Sequence, residues 1–329
     1  MLEKITVIGS GSWATALVKI FTESRIKVSW LVRDKALATE IQQRGRNPRY
    51  LSYVDLQMKY ITTFVEPEAA LEDTQAVIFA VPSSYLENVL VQIESGWLDN
   101  KQVMVSIKGF IPGTGNLPSR YIEDFAGLTN SVVVIAGPCH AEEIAMERDT
   151  YVTVAGEDAK AVHAISQSIK VKYIQTIENN DPLGVEYVTI LKNIIGIANG
   201  MASGLNYGEN FQSVLTSNAM REVSRFLQVM QPAARDLFDS AYFGDLLVTA
   251  YSDFSRNKTL GRLIGRGIKT GPALQSMEMV AEGYRASEEL HLLIRHLKIH
   301  LPIINSVYRI LHQHASPFNE FKLIEKQLR

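Results

Sequence analysis

The sequence predicts an α/β fold: a doubly wound parallel sheet over residues 1–180, followed by an all-α domain over residues 181–329. Three observations predict it. Short apolar, β-branched runs alternate with helical patterns through the first half, as in a parallel sheet covered on both faces. A glycine-rich turn joins the first such run to the first helical stretch. Beyond Asp181 the pattern becomes helical almost throughout.

Residues 4–8 form the first apolar run, and Gly9, Ser10, Gly11, Ser12, Trp13 and Ala14 turn the chain into a helical pattern reaching Ser24. A strand over 27–32 completes a β–turn–α–β unit. This is the dinucleotide fingerprint in its G-x-G-x-x-A form, in the context a Rossmann-type domain requires. Gly9 allows the tight turn, Gly11 lets backbone approach a pyrophosphate, and Ala14 still permits close helix–strand packing. The helix N-terminus offers N–H groups and a partial positive charge to phosphates. At the end of the second strand, Arg33 precedes Asp34. An acid there suits the ribose hydroxyls of NAD, whereas a guanidinium suits the 2′-phosphate of NADP. Arg33 favours NADP, and Asp34 leaves NAD open.

Further strands are expected over 60–63, 76–80, 102–106 and 132–136, with helices over 83–92 and 117–125 between them. Residues 45–53 have no period and read as a loop insertion. Runs over 151–155 and 171–175 flank a helical 158–169 and add edge strands. Three strand ends carry chemistry: Pro82 and Ser83 after the fourth, Lys108 after the fifth, and Gly137, Cys139, His140 and Ala141 after the sixth. Ligands of open α/β sheets bind beyond strand C-termini, which singles out Lys108.

Asp181 and Pro182 read as the cap and first residue of a helix reaching Met201. Apolar residues fall on nearly every side of it, so it is expected to be buried, and Lys192 with Asn193 is anomalous inside it. Helices are also expected over 211–230, from 232–236 onwards, over 275–293 and over 303–312. Asp245 and Thr249, four residues apart, share a helix face. Ser255, Arg256 and Asn257 could hold a phosphate, and the Gly/Arg-rich stretch 261–267 reads as a mobile, lid-like loop.

Length and composition bound the rest. A chain of 329 residues with 46% hydrophobic and 21% charged residues fits a globular protein of two domains. A formal net charge of -2 argues against nucleic acid as a partner. Cys139 is the only cysteine, which excludes a disulfide framework and a cysteine-based zinc site. His312 and His314 lack a third ligand nearby, so no metal is expected. No window is apolar enough to span a membrane, and no signal peptide fits before the first strand, so a cytoplasmic enzyme is expected. A homodimer is left open.

The motifs together resemble the bacterial type of NAD(P)-dependent glycerol-3-phosphate dehydrogenase. They are the Gly9-to-Ala14 turn, Ser106 to Gly109, Gly137 to Glu143, Leu191 to Ile195, Gly244 to Leu246, Ser255 to Asn257 and Val280 to Gly283, in order over nearly the whole chain. The resemblance implies reversible hydride transfer between NADP or NAD and dihydroxyacetone phosphate, making sn-glycerol 3-phosphate for phospholipid synthesis. It implies Lys192 as general acid/base and Lys108 as a contact to substrate and cofactor. It places Asp245 and Thr249 along the site, and Ser255, Arg256 and Asn257 on the phosphate. Gly137, Cys139 and His140 would touch substrate. Gly9, Ser10, Gly11, Ser12, Trp13, Arg33, Ala141, Arg256, Val280 and Glu282 would touch the cofactor.

Two positions depart from the family: Ala14 where glycine is usual, and Cys139 where serine or threonine is usual. A thiol is the weaker hydrogen-bond partner, so the substrate contact falls to Cys139 or to His140. Two other readings are weighed against this one. A β-hydroxyacid or ketopantoate reductase would need a carboxylate clamp in place of residues 255–257. A non-catalytic nicotinamide sensor would lack the lysine or the phosphate cluster, and both are present.

Overall fold

The computed structural model describes residues 2–128, 131–277 and 279–329. The chain divides into two compact units, Met1–Ile107 with Pro118–Pro182, and Lys108–Leu117 with Leu183–Arg329.

The first unit alternates strand and helix. Its strands are β1 (Lys4–Ile8), β2 (Lys27–Leu31), β3 (Ile61–Phe64), β4 (Ala76–Phe79), β5 (Gln102–Val105), β6 (Val133–Ala136), β7 (Thr150–Ala155) and β8 (Ile174–Asn179). Its helices are α1 (Ser12–Glu23), α2 (Lys35–Arg44), α3 (Pro67–Leu71), α4 (Ser83–Leu90), α5 (Pro118–Ala126), α6 (Ala141–Ala145) and α7 (Ala159–Ser168). The strand order is β3-β2-β1-β4-β5-β6-β7-β8. β1 pairs in parallel with β2 and β4, setting Ile8 beside both Leu31 and Phe79. The order reverses across β1 and β4, which makes their C-terminal ends the switch point where such sheets bind ligands. All four residues of β4 are buried, as in a strand covered on both faces.

The expected all-parallel sheet holds for β1 to β6 only. β7 runs antiparallel to β6, with Ile135 opposite Val154, and β8 is then parallel to β7. The run expected over 171–175 starts later, because the Ile174 N–H closes a turn on the Val171 carbonyl. α2 was not evident from the sequence, since only Leu37, Ala38 and Ile41 are buried on it and its cap is Asp34.

The second unit is helical: α8 (Pro182–Gly204), α9 (Glu209–Met230), α10 (Asp245–Tyr251), α11 (Arg256–Gly265), α12 (Thr270–Gln275), α13 (Glu282–Ile294), α14 (Pro302–His312) and α15 (Pro317–Glu325). From Val188 to Ala202 every residue of α8 is buried.

Three helical expectations need correction. Residues 232–236 are irregular. Pro232 brings no N–H, and Asp236 spends its side chain accepting from the Phe238 N–H in a turn. The helix expected over 275–293 is not continuous: α12 ends at Gln275 and α13 starts at Glu282. The Gly283 N–H is given to Asn257 Oδ1 (2.9 Å) rather than to a carbonyl four residues back, so α13 begins afresh at Glu282. Glu278, within that expected helix, lies outside the described residues. The supposed mobile loop over 261–267 is mostly α11, and two of its three glycines, Gly261 and Gly265, are packing surfaces. A Cβ on Gly261 would collide with the Ile197 carbonyl, and one on Gly200 with the Lys258 carbonyl. Gly200 and Gly204 on α8 thus face Gly261 and Gly265 on α11, backbone against backbone.

α14 is capped by a side chain from another helix. Glu222, 1% exposed, accepts from the Ile303 N–H (2.7 Å) and the Ile304 N–H (3.1 Å). Burial pushes its carboxyl up to about 7, although both N–H donors and Arg225 pull it down. The native state therefore holds this proton where the unfolded chain has lost it, and stability falls as pH rises from about 4.5 to about 7. Glu222→Gln should remove a decline on the order of 3 kcal/mol across that window. Urea unfolding at a series of pH values checks this, and an unchanged slope would rule Glu222 out as its source.

Among the described residues no helix is long and apolar enough to cross a membrane, and no group of three or more His, Cys, Asp or Glu could hold a metal.

Candidate active site

In the first unit the fingerprint turn is set by contacts from three strands. Gly9 has φ +129°, and a Cβ there would strike the Ala80 carbonyl at the end of β4, so only glycine fits. The Trp30 indole N–H donates to the Gly9 carbonyl (2.6 Å), fixing the turn from β2. α1 opens at Gly11 with no side-chain cap, and the space where a Gly11 Cβ would stand is open. A pyrophosphate fits there, against free space and the N-terminal end of a twelve-residue helix. Trp13 is held by its indole N–H on Ser106 Oγ (2.7 Å), and Ser106 in turn donates to the Ile135 carbonyl (2.6 Å). Ala14 is fully buried under the sheet.

Asn47, in the loop after α2, was not singled out by the sequence, and it is fully buried. Its Nδ2 donates to the Ser10 carbonyl (3.0 Å) and to Thr15 Oγ1 (2.9 Å), tying that loop to the fingerprint. Arg33 is 62% exposed at its side chain and contacts Asp34 (3.3 Å).

The Gly137 turn also needs its glycine: φ is +100°, and a Cβ would meet Thr153 Oγ1 at 3.0 Å. Cys139 faces inward. It is 1% exposed, and its Sγ lies 3.1 Å from the Gly137 carbonyl oxygen. Of the two candidates for the substrate contact, His140 is the more accessible, half-buried at the N-cap of α6 ahead of Ala141.

In the second unit, α8 and α10 bring Lys192 and Asp245 into a buried ion pair. Lys192 is 2% exposed and Asp245 fully buried. Thr189 Oγ1 lies 3.4 Å from the other carboxylate oxygen, and Thr249 Oγ1 donates to the Asp245 carbonyl (3.0 Å). A carboxylate at this depth survives only with such partners. Ser255 caps α11, its Oγ accepting from the Lys258 N–H, and so presents Arg256 at the first helical position, exposed, with its guanidinium near Met279.

A chain of amides links the remaining segments of this unit. Asn193 Nδ2 donates to the Lys108 carbonyl (2.8 Å). Asn257 Nδ2 donates to Asn193 Oδ1 (2.9 Å), and Asn257 Oδ1 accepts from the Gly283 N–H. Lys108, the helix carrying Lys192, the start of α11 beside Arg256 and the start of α13 beside Glu282 are thereby held in one register. Val280, just ahead of α13, is exposed. Asn193 stood out in the sequence only as a polar residue in an apolar helix.

A mostly parallel sheet with a dinucleotide turn at its switch point, joined to a helical unit carrying a buried lysine–carboxylate pair, defines a nicotinamide-dependent dehydrogenase. Residues 4–162 match the family model described as NAD-dependent glycerol-3-phosphate dehydrogenase N-terminus, and residues 181–322 match the corresponding C-terminus model. The chain belongs to this family, and it is an NAD(P)-dependent oxidoreductase. It is 30% identical over 330 residues to a glycerol-3-phosphate dehydrogenase [NAD(P)+] of Clostridium botulinum, covering 99% of each chain. It is 31% identical over 320 residues to the enzyme so named from Shouchella clausii, covering 96% of this chain and 94% of that one. The crystal structure of glycerol-3-phosphate dehydrogenase from Coxiella burnetii superposes with a TM-score of 0.92 at 26% identity, covering 98% of both chains.

Proposed function

We propose that the protein reduces dihydroxyacetone phosphate to sn-glycerol 3-phosphate with NADPH as the preferred donor, supplying the backbone of phospholipids. The buried Lys192–Asp245 pair carries this reading. The cofactor supplies the hydride to the ketone carbon, and a proton must reach the oxygen that becomes the hydroxyl. Lys192 gives that proton and regains it in the reverse direction, while Asp245 holds the ammonium in place. Lys108 steadies the reacting oxygen. Arg256, with Ser255 and Asn257 at the start of α11, binds the substrate phosphate, and its guanidinium fork converts phosphate binding into positioning of the ketone. Asn257 Nδ2 gives one N–H to Asn193 Oδ1 while its Oδ1 accepts from the Gly283 N–H, and the second N–H of that amide is the donor it offers the phosphate. The preference for NADPH rests on Arg33 at the ribose end of β2.

Purified protein should oxidise NADPH when given dihydroxyacetone phosphate, and NADH more slowly, followed by loss of dihydronicotinamide absorbance. Turnover of ketopantoate in place of dihydroxyacetone phosphate would refute the substrate assignment. No turnover with either cofactor would refute the reaction.

A further inference from the structure

We propose that Arg49 is a second guanidinium for the cofactor's 2′-phosphate, aimed by the buried Asn47. The inference rests on the NADPH preference argued above and names a residue that sets it.

Sites built for NAD keep an acid free at the end of the second strand to accept the ribose hydroxyls. Asp34 stands at that position, but both of its oxygens already accept hydrogen bonds. Oδ1 accepts from the Leu37 N–H (2.7 Å) as the N-cap of α2. Oδ2 takes Arg33 Nε (3.3 Å) and Arg49 Nη1 (3.0 Å). The Leu37 N–H, and then Arg49 and Arg33, hold this carboxyl below its usual range, so it stays an acceptor already in use. The corner that would read a diol instead carries two cations around one anion. A phosphate monoester, with about 1.5 to 2 negative charges, balances that excess, and a guanidinium fork matches its oxygens.

Arg49 does not arrive there by chance of a surface side chain. Asn47 Oδ1 accepts from the Arg49 N–H (3.1 Å) and the Tyr50 N–H (3.3 Å). Its Nδ2 holds the Ser10 carbonyl and Thr15 of the fingerprint. One buried amide therefore fixes the backbone of Arg49 relative to the turn that receives the pyrophosphate. The 2′-phosphate sits at a set distance from that pyrophosphate within one cofactor, so this coupling gives Arg49 a defined target.

Calorimetric titration tests the proposal without turnover, using NADPH, NADH, adenosine 2′,5′-bisphosphate and AMP. Arg49→Ala should weaken NADPH and the bisphosphate about tenfold or more, and leave NADH and AMP within about twofold. The same substitution is repeated in an Asp34→Asn background, because asparagine still caps α2 while the carboxylate charge is gone. The selective loss should persist there. If it vanishes, Arg49 merely neutralises Asp34 and the proposal is overturned. Equal weakening of all four ligands also overturns it, by assigning Arg49 a purely structural role. Wild-type protein binding NADH as tightly as NADPH would instead refute the cofactor preference itself. Wild-type preference for NADPH that survives Arg49→Ala would refute only the role of Arg49.

Discussion

Replacing Lys192 by methionine, together with Asp245→Asn, is expected to lower kcat by about a thousandfold or more while leaving NADPH affinity within about twofold. The pair is changed together for a physical reason. Lys192 and Asp245 are both buried, so removing the lysine alone strands a carboxylate, at a cost of about 3–5 kcal/mol. Loss of activity in Lys192→Ala could then reflect a damaged fold. The double substitution removes both charges and keeps the volume of the lysine stem, so its thermal midpoint should stay near that of the wild type. Calorimetric binding of NADPH together with steady-state kinetics separates the roles. A kcat within tenfold of wild type in the folded double variant would remove Lys192 from proton transfer. A rise in KM alone would make it a binding residue.

Gly261→Ala is expected to destabilise the protein by about 3 kcal/mol or more, although it adds one methyl group to the interior of a helix. Alanine is the better helix former and would gain about 1 kcal/mol in an exposed helix. Here its Cβ would meet the Ile197 carbonyl, and the obstacle is backbone, which cannot rotate away as a side chain can. Gly271→Ala is the control. Nothing lies within 4 Å of a Cβ there, and the substitution should be neutral or slightly stabilising. Urea unfolding of the two variants decides the matter, and similar stabilities would show that α8 and α11 are not locked by their glycines. Because α8 carries Lys192 and α11 presents Arg256, loosening this contact should also raise KM for the phosphorylated substrate.

Much of the first unit was legible because a sheet covered on both faces writes itself as apolar runs, as in β1 and β4. The fingerprint was legible because its glycines are local necessities: the turn at Gly9 has no room for a side chain. The glycines of α11 misled for the opposite reason. Read locally they lower helix propensity, and their purpose appears only beside α8. The spacing of Gly261 and Gly265, matched by Gly200 and Gly204, was the available signal. Asn47 carried no signal at all, since its anchors Ser10 and Thr15 lie 37 and 32 residues away. The chemistry of Lys192 and Asp245 could be suspected residue by residue, but their pairing across 53 residues of sequence needed the fold.

The short segment Lys108–Leu117 interrupts the sheet domain in sequence yet belongs to the helical unit. Within that unit the Asn193 amide takes the Lys108 carbonyl, the Gly113 N–H donates to Glu289 (2.7 Å), and Phe110 and Ile111 are each 1% exposed. The polypeptide therefore passes between the units three times, after Ile107, Leu117 and Pro182. A gene cut at the boundary between the two family models would not yield two self-sufficient proteins. The N-terminal product would display Phe110 and Ile111 with no surface to cover them. The C-terminal product would lack both Lys108 and the strap that Glu289 holds. Exchange of halves between relatives must carry this segment with the helical unit, as a permuted or inserted piece, if its contacts to Asn193 and Glu289 are to come from one parent.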